Sequence, residues 1–487
     1  MNRSKLIDLL KTFSPAEFTE FGKFIFSPLH NESQLMIRLY NSLKKYFPDF
    51  NSNELTKENI YNDIYGSNKY DDKKLRDRLS DMHSLCEDYL SWMDYKRNPV
   101  SVKKHALNQF INRHLEIGFN KKFKEIQDII DSSKIKNEHY FNSLHEQLID
   151  KRTFYETKPL TGKRKSFYID LAAEVDQFIL YFVTKMLIYY VLMINRGAVL
   201  KYEFEFKLYE PILNFIKENS LDKYPIIKSY YLTLMLNKEG SSDKVYFELK
   251  KYLIQNADRI EEEDKKLIFT ELSNYALARV YKEKPEFVKE RFALMKLQIE
   301  QNTYPDENEG WMDLGFFQNY VIESIQIGKL ETAERFIKKY SGRLNPGKKD
   351  NLCAFAEGML HYAQEKYSYA LDDLSRIKGI DFTLYIRVRT LLSKIYFDLK
   401  EYENVLTLID SFKHYLITNP VIPDLLVKKY SNFMNILKKL TMLSLRPEID
   451  EYSIFKLVKE INSFSIEELT TNKSWLLERV KKLNVCK

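Results

Sequence analysis

The sequence predicts an all-α protein. Residues 1–150 read as an N-terminal helical domain, 151–166 as a basic linker, and 167–487 as an α–α superhelix, a solenoid of stacked helix pairs. Three observations carry this. Apolar residues recur at helical spacing, as in Ala370, Leu374 and Ile377 at i, i+4, i+7, and no useful stretch shows the alternation of a strand. Glycine and proline number only 13 each in 487 residues, so turns are few and helices long. Helix–elbow–helix units recur: Ala333 to Ala370 is 37 residues and Ala370 to Val405 is 35, and such a period marks stacked helix pairs.

The first 50 residues read as three helices. Ser14, Pro15 and Glu17 form a capping box, in which the Ser14 hydroxyl accepts from an amide three residues on and Glu17 reaches back. Phe18, Phe21 and Ile25 then share a face, and Leu35, Leu39 and Leu43 form the next stripe. Phe13, Phe18, Phe21, Phe24 and Phe26 are assigned to a packed core. Residues 56–93 have the outline of a helix-turn-helix. Thr56 opens a short helix, Gly66-Ser67-Asn68 turns the chain, and Asp71 or Asp72 caps a long helix striped by Leu75, Leu79, Met82, Cys86 and Tyr89. Lys73, Lys74, Arg76 and Arg78 crowd its first turns, where a recognition helix would touch DNA. They are the candidate nucleic-acid contacts. Residues 51–100 nevertheless hold 8 Lys/Arg against 10 Asp/Glu, a net of −2, whereas a DNA reader carries a basic footprint. His83 and Cys86 are assigned to the helix core rather than to a metal.

Residues 101–150 continue as helix, with Phe110, Leu115, Phe119, Phe123, Ile126 and Ile130 as apolar positions. The linker holds Lys151, Arg152, Lys158, Lys163, Arg164 and Lys165 against Glu156 alone, with Pro159 and Gly162 breaking the pattern. Phe178 to Ile194 is the most apolar run. A spanning helix needs about 20 apolar residues, and a central lysine costs ~3 kcal/mol. With Lys185 at its middle, this run is expected to be a helix buried on most sides, Lys185 reaching water.

The clearest repeats follow. Gly358 lies on a first helix, Gln364-Glu365-Lys366 makes an elbow, and Tyr367, Ala370, Leu374 and Ile377 lie on the second. Gly328-Lys329 and Leu399-Lys400-Glu401 are the elbows before and after it. Small Gly358 and Ala370 stand where two helices cross closely. Looser pairs precede them, with elbows at Gly240-Ser241-Ser242 and Glu283-Lys284-Pro285. These segments resemble the tetratricopeptide-repeat superfamily in a divergent form, clearest over residues 314–416. The large first-helix aromatic is replaced by Ala354, no proline closes the repeats, and Val405 replaces the small residue in the third. The resemblance implies that each first helix lines a concave side. By that count the inward residues are Phe355, Met359 and Tyr362 on one helix, Arg387, Lys394 and Phe397 on the next, and Gln318 and Ile322 on the preceding one. Apolar anchors mixed with two cations suit an extended peptide carrying an acidic or C-terminal carboxylate group. Near the end of the chain, Ser465-Ile466-Glu467-Glu468 is expected to open the last helix, whose outer face bears Glu478, Arg479, Lys481 and Lys482.

Charge and motifs bound the function. There are 76 Lys/Arg against 69 Asp/Glu, a net of +7, too small to imply a general polyanion-binding field. Cys86, Cys353 and Cys486 are distant and odd in number, which suits a reducing compartment. The apolar run after Met1 is too short for a signal peptide, and the expected location is cytoplasmic. No G-x-S-x-G, G-x-G-x-x-G, H-E-x-x-H or C-x-x-C occurs, so neither an enzyme nor a cofactor or metal site is expected. The reading is a non-enzymatic helical-repeat scaffold that binds a protein or peptide partner, with no membrane insertion. The alternative is a nucleic-acid-binding regulator with an N-terminal helix-turn-helix and a repeat sensor domain.

Overall fold

The computed structural model describes residues 4–485 apart from 67–68, 98, 157–163, 201, 239, 283, 285, 308–309 and 470–471. Among the described residues the regular structure is helical, with 23 α-helices, besides one isolated antiparallel bridge between Asp306 and Met312. The chain forms two compact units. The first holds residues 1–133 and 142–177, the second 134–141 and 178–487.

In the first unit, α1 (Lys5–Leu10), α2 (Pro15–Phe26), α3 (Gln34–Lys44), α4 (Lys57–Tyr65) and α5 (Asp72–Arg97) share one core. The capping box forms: Glu17 donates its amide to Ser14 Oγ at 3.2 Å, and Ser14 donates its own to Glu17 Oε2 at 2.9 Å. Thr56 Oγ1 accepts from the Asn59 amide, and Asp71 accepts from the Lys74 amide. The α5 stripe Leu75, Leu79, Met82, Cys86 and Tyr89 is buried throughout. Of the five phenylalanines placed in the core, Phe26 is instead exposed. α6 (Pro99–Asn112) and α7 (Glu116–Asp131) pack together. Leu115 falls between them and is exposed, so it leaves the expected stripe.

α8 (Glu138–Glu156) and α9 (Arg164–Leu200) each run from one unit into the other. Residues 151–166, expected as a linker, are helical where they are described. Residues 151–156 complete α8, with Lys151 paired to Asp170 at 2.8 Å and Arg152 to Glu174 at 2.9 Å. Lys158, Pro159, Gly162 and Lys163 lie outside the described residues. α9 has 37 residues and, among the described residues, is the one helix long and apolar enough to cross a membrane. The expectation that it is buried on most sides is corrected: only 33% of its apolar window is buried, and Val175, Phe182 and Tyr189 are exposed. Lys185 pairs with Glu138 at 3.5 Å rather than reaching out to water alone.

The second unit continues with α10 (Tyr209–Glu218), α11 (Pro225–Asn237), α12 (Asp243–Gln255), α13 (Glu262–Tyr281), α14 (Glu286–Glu300), α15 (Leu314–Gln326), α16 (Leu330–Tyr340), α17 (Pro346–Ala363), α18 (Tyr367–Ser375), α19 (Phe382–Asp398), α20 (Tyr402–Thr418), α21 (Asp424–Ser444), α22 (Glu451–Ser463) and α23 (Lys473–Val485). From α11 onward each helix packs on its successor, and alternate helices also meet: α11 on α13, α15 on α17, α17 on α19. Ala370 is fully buried, and a Cβ on Gly358 would stand 3.2 Å from Leu374, so the expected close crossing of α17 and α18 is present.

The three elbows are built alike. Gly328, Glu365 and Lys400 adopt left-handed backbone, φ 76°, 59° and 62°. The residue after each donates its amide five residues back: Lys329 to Ser324 at 2.8 Å, Lys366 to His361 at 2.9 Å, Glu401 to Tyr396 at 2.9 Å. This is the Schellman closure, which satisfies carbonyls left open by the helix end. At the C-terminus the expected start of the last helix is corrected. Ser465 and Glu468 do exchange capping bonds, 2.9 and 3.1 Å, but they close a turn, and α23 begins at Lys473.

Candidate functional site

The parallel stacking of α15, α17 and α19 brings one face of each first helix together. Gln318 on α15 is hydrogen-bonded to the guanidinium of Arg387 on α19, 69 residues later. Tyr362 on α17 donates its hydroxyl to Asp398 on α19 at 2.6 Å. Of the residues expected to line a groove, Gln318 and Arg387 thus meet directly, and Tyr362 meets Asp398. Phe355 and Phe397 are 3% and 6% exposed. Phe355 belongs to the packing between α17, α18 and α19, and Met359 bridges that cluster and its neighbour. Ile322 is half-buried.

The C-terminal helix supplies the other half of the site. Trp475 on α23 donates its indole N–H to the Tyr362 hydroxyl at 2.7 Å. Its ring stands edge-on to Phe397, centroids 5.7 Å apart, and the Lys394 ammonium lies over it at 5.4 Å. Four residues on, Arg479 donates to both oxygens of Asp398, Nε at 2.6 Å and Nη2 at 2.8 Å. Arg479 was expected on the outer face of the last helix. The structure corrects this: it is 13% exposed and Asp398 7%, while Glu478 and Lys482 remain outside. The spacing i, i+4 puts Trp475 and Arg479 on one side of α23. Leu476 and Val480, both fully buried, fix the helix against the core of α20, α21 and α22.

The electrostatics follow from enclosure. Burial raises the Tyr362 phenol, and the adjacent Asp398 charge raises it further. Burial works against the Arg479 charge, but its bonds to Asp398 outweigh it and hold the guanidinium more firmly protonated than usual. Burial pushes Lys394 down to about 8, against the pull of Asp398. Burial likewise lowers Arg387. Nearby, Glu323 on α15 pairs with Arg291 on α14 at 2.7 Å. Burial still pushes its carboxyl up to about 7.

Asp398, Trp475 and Arg479 escaped sequence reasoning. The spacing of Trp475 and Arg479 was legible, but which element their face would meet was not. The candidate nucleic-acid residues lie elsewhere, on α5. Lys74 pairs with Asp71 at 4.0 Å, Arg76 with Asp72 at 3.0 Å and Arg78 with Asp81 at 2.9 Å, while Lys73 is exposed. Three of the four cations are therefore matched by carboxylates of their own helix or its cap. Compared with known proteins, the chain gives no match to a family model, to a curated protein or to a solved structure.

Proposed function

We propose that this protein is a non-enzymatic helical-repeat scaffold that binds a protein or peptide partner on the face of α15, α17 and α19. One observation carries the reading: that face already accommodates a helix of its own chain, seating Trp475 against Tyr362 and Phe397 and Arg479 on Asp398. Aromatic and arginine anchors in a receiving face are the usual core of helix-in-groove recognition. The recurrence of the elbow at 37 and 35 residues supports stacked pairs, whose first helices would form a concave surface. The Gln318–Arg387 end of the face is the part left for a partner, because α23 takes the Tyr362–Asp398 end. The nucleic-acid alternative is weaker, since three of its four cations are matched by carboxylates.

The test is affinity capture with quantitative mass spectrometry. It compares the full chain with a Gln318→Ala/Arg387→Ala variant whose fold is checked by circular dichroism. A stoichiometric partner held by the native chain, and at least tenfold less by the variant, is expected. Equal recovery by both, or no stoichiometric partner, overturns the proposal.

A further inference from the structure

Several enclosed cations of the second unit pair with carboxylates. Arg479 has Asp398, Arg291 has Glu323, and Lys429 has Glu467 at 2.6 Å. Arg387 is hydrogen-bonded to the neutral amide of Gln318, with Asp381 only within longer electrostatic reach, and Lys394 lies over the face of the Trp475 ring, with Asp398 within such reach. Among the described residues no carboxylate is within ion-pair distance of either. Both are half-buried, and enclosure counts against the charged form of each. An enclosed cation without a counter-charge costs several kcal/mol and is readily replaced by an apolar side chain of the same size. Two on one helix face need a reason.

Their placement supplies one. Positions 387 and 394 are two turns apart on α19, about 10.5 Å along the helix axis, and share a face. Gln318 stands at the first cation. So does Tyr430 of α21, which lies within its electrostatic reach. Trp475 and Arg479 of α23 stand at the second. Two enclosed cations with no carboxylate at ion-pair distance select an anion. Two charges set two turns apart select a ligand with a negative group at each end rather than one phosphate. The guanidinium fork matches a carboxylate bidentately, and the ammonium takes a second as a point charge. A small molecule of that length spans the two cations within one helix face.

We propose that Arg387 and Lys394 form a binding site for a small linear dicarboxylate, one carboxylate on each cation. The inference goes beyond partner binding and does not depend on it. A failed capture experiment leaves this site standing, and a failed titration leaves the partner face standing.

The experiment is isothermal titration calorimetry on the full chain with glutarate, and with its uncharged diamide and inorganic phosphate as comparators. It is repeated on Arg387→Met and Lys394→Met, with thermal melts of all three proteins without ligand. One glutarate per chain is expected, bound at least tenfold more tightly than phosphate or the diamide. Each substitution is expected to weaken it at least tenfold while leaving the unliganded melting temperature equal or higher. No glutarate binding overturns the proposal, as does equal binding by native chain and variants. So does a lowered melting temperature in both variants, which would make the cations structural. Lys394→Arg keeps the charge and is expected to retain most of the affinity; loss equal to that of Lys394→Met would also overturn it.

Discussion

Glu323 shows how one residue registers its surroundings. Its side chain is 3% exposed, and its second oxygen has no hydrogen-bond partner among the described residues. Burial therefore outweighs the Arg291 charge and lifts the carboxyl to about 7. The unfolded chain returns it to an ordinary value near 4.5. Between those values the folded state binds the extra proton, so this group's contribution to stability falls as pH rises from about 4.5 to 7. Urea midpoints of the native chain are expected to decline over that window relative to those of Glu323→Gln, which mimics the protonated form. Parallel pH profiles for the two proteins would refute the assignment. Asp398 carries a different load: it joins α17 and α19 to α23 through Tyr362 and Arg479. Removing one member of such a network leaves the others enclosed and unmatched, which is why truncations there read as loss of fold rather than loss of a contact.

At the scale of elements, the elbows decide how the pairs stack. Each closes through a left-handed residue, and only the first uses glycine; Glu365 and Lys400 sit at φ 59° and 62°. A side chain in that region costs about 1 kcal/mol, because Cβ crowds the following carbonyl oxygen. Lys400 is exposed, so nothing else is lost by removing it. Lys400→Gly is expected to stabilise the chain by about 1 kcal/mol, read as a higher urea midpoint with unchanged slope. An unchanged or lower midpoint would show that the lysine stem contributes as much as the strain removes. The opposite lesson comes from Ser465 and Glu468. A capping box supplies bonds for the first turn of a helix but cannot extend it, and here the turn ends before α23 begins.

At the scale of the whole molecule, charge distribution separates the two functional readings. A net of +7 over 487 residues is diluted, and on α5 the cations sit beside Asp71, Asp72 and Asp81. Random duplex DNA is therefore expected to leave the electrophoretic mobility of the chain unchanged at roughly physiological salt, where binding needs several unmatched phosphate contacts. Retardation that disappears with Lys74→Glu/Arg78→Glu would restore the helix-turn-helix reading.

The sequence by itself determined helix content, the capping at Ser14 and Thr56, the buried stripe of α5, and the three elbows with their 37- and 35-residue spacing. Each rests on interactions within a few residues, which periodicity and capping chemistry express directly. It named Gln318, Tyr362, Arg387 and Lys394, of which the structure pairs Gln318 with Arg387 and sets Tyr362 and Lys394 against Trp475. Only the tertiary structure decided what those residues meet. That α23 turns Trp475 and Arg479 inward onto residues 78 to 113 positions earlier depends on the packing of α20, α21 and α22, and an amphipathic pattern states which side of a helix is covered but not by what. The same limit explains α9: its composition promised burial, yet which of its apolar positions are covered depends on the neighbours the fold brings to it.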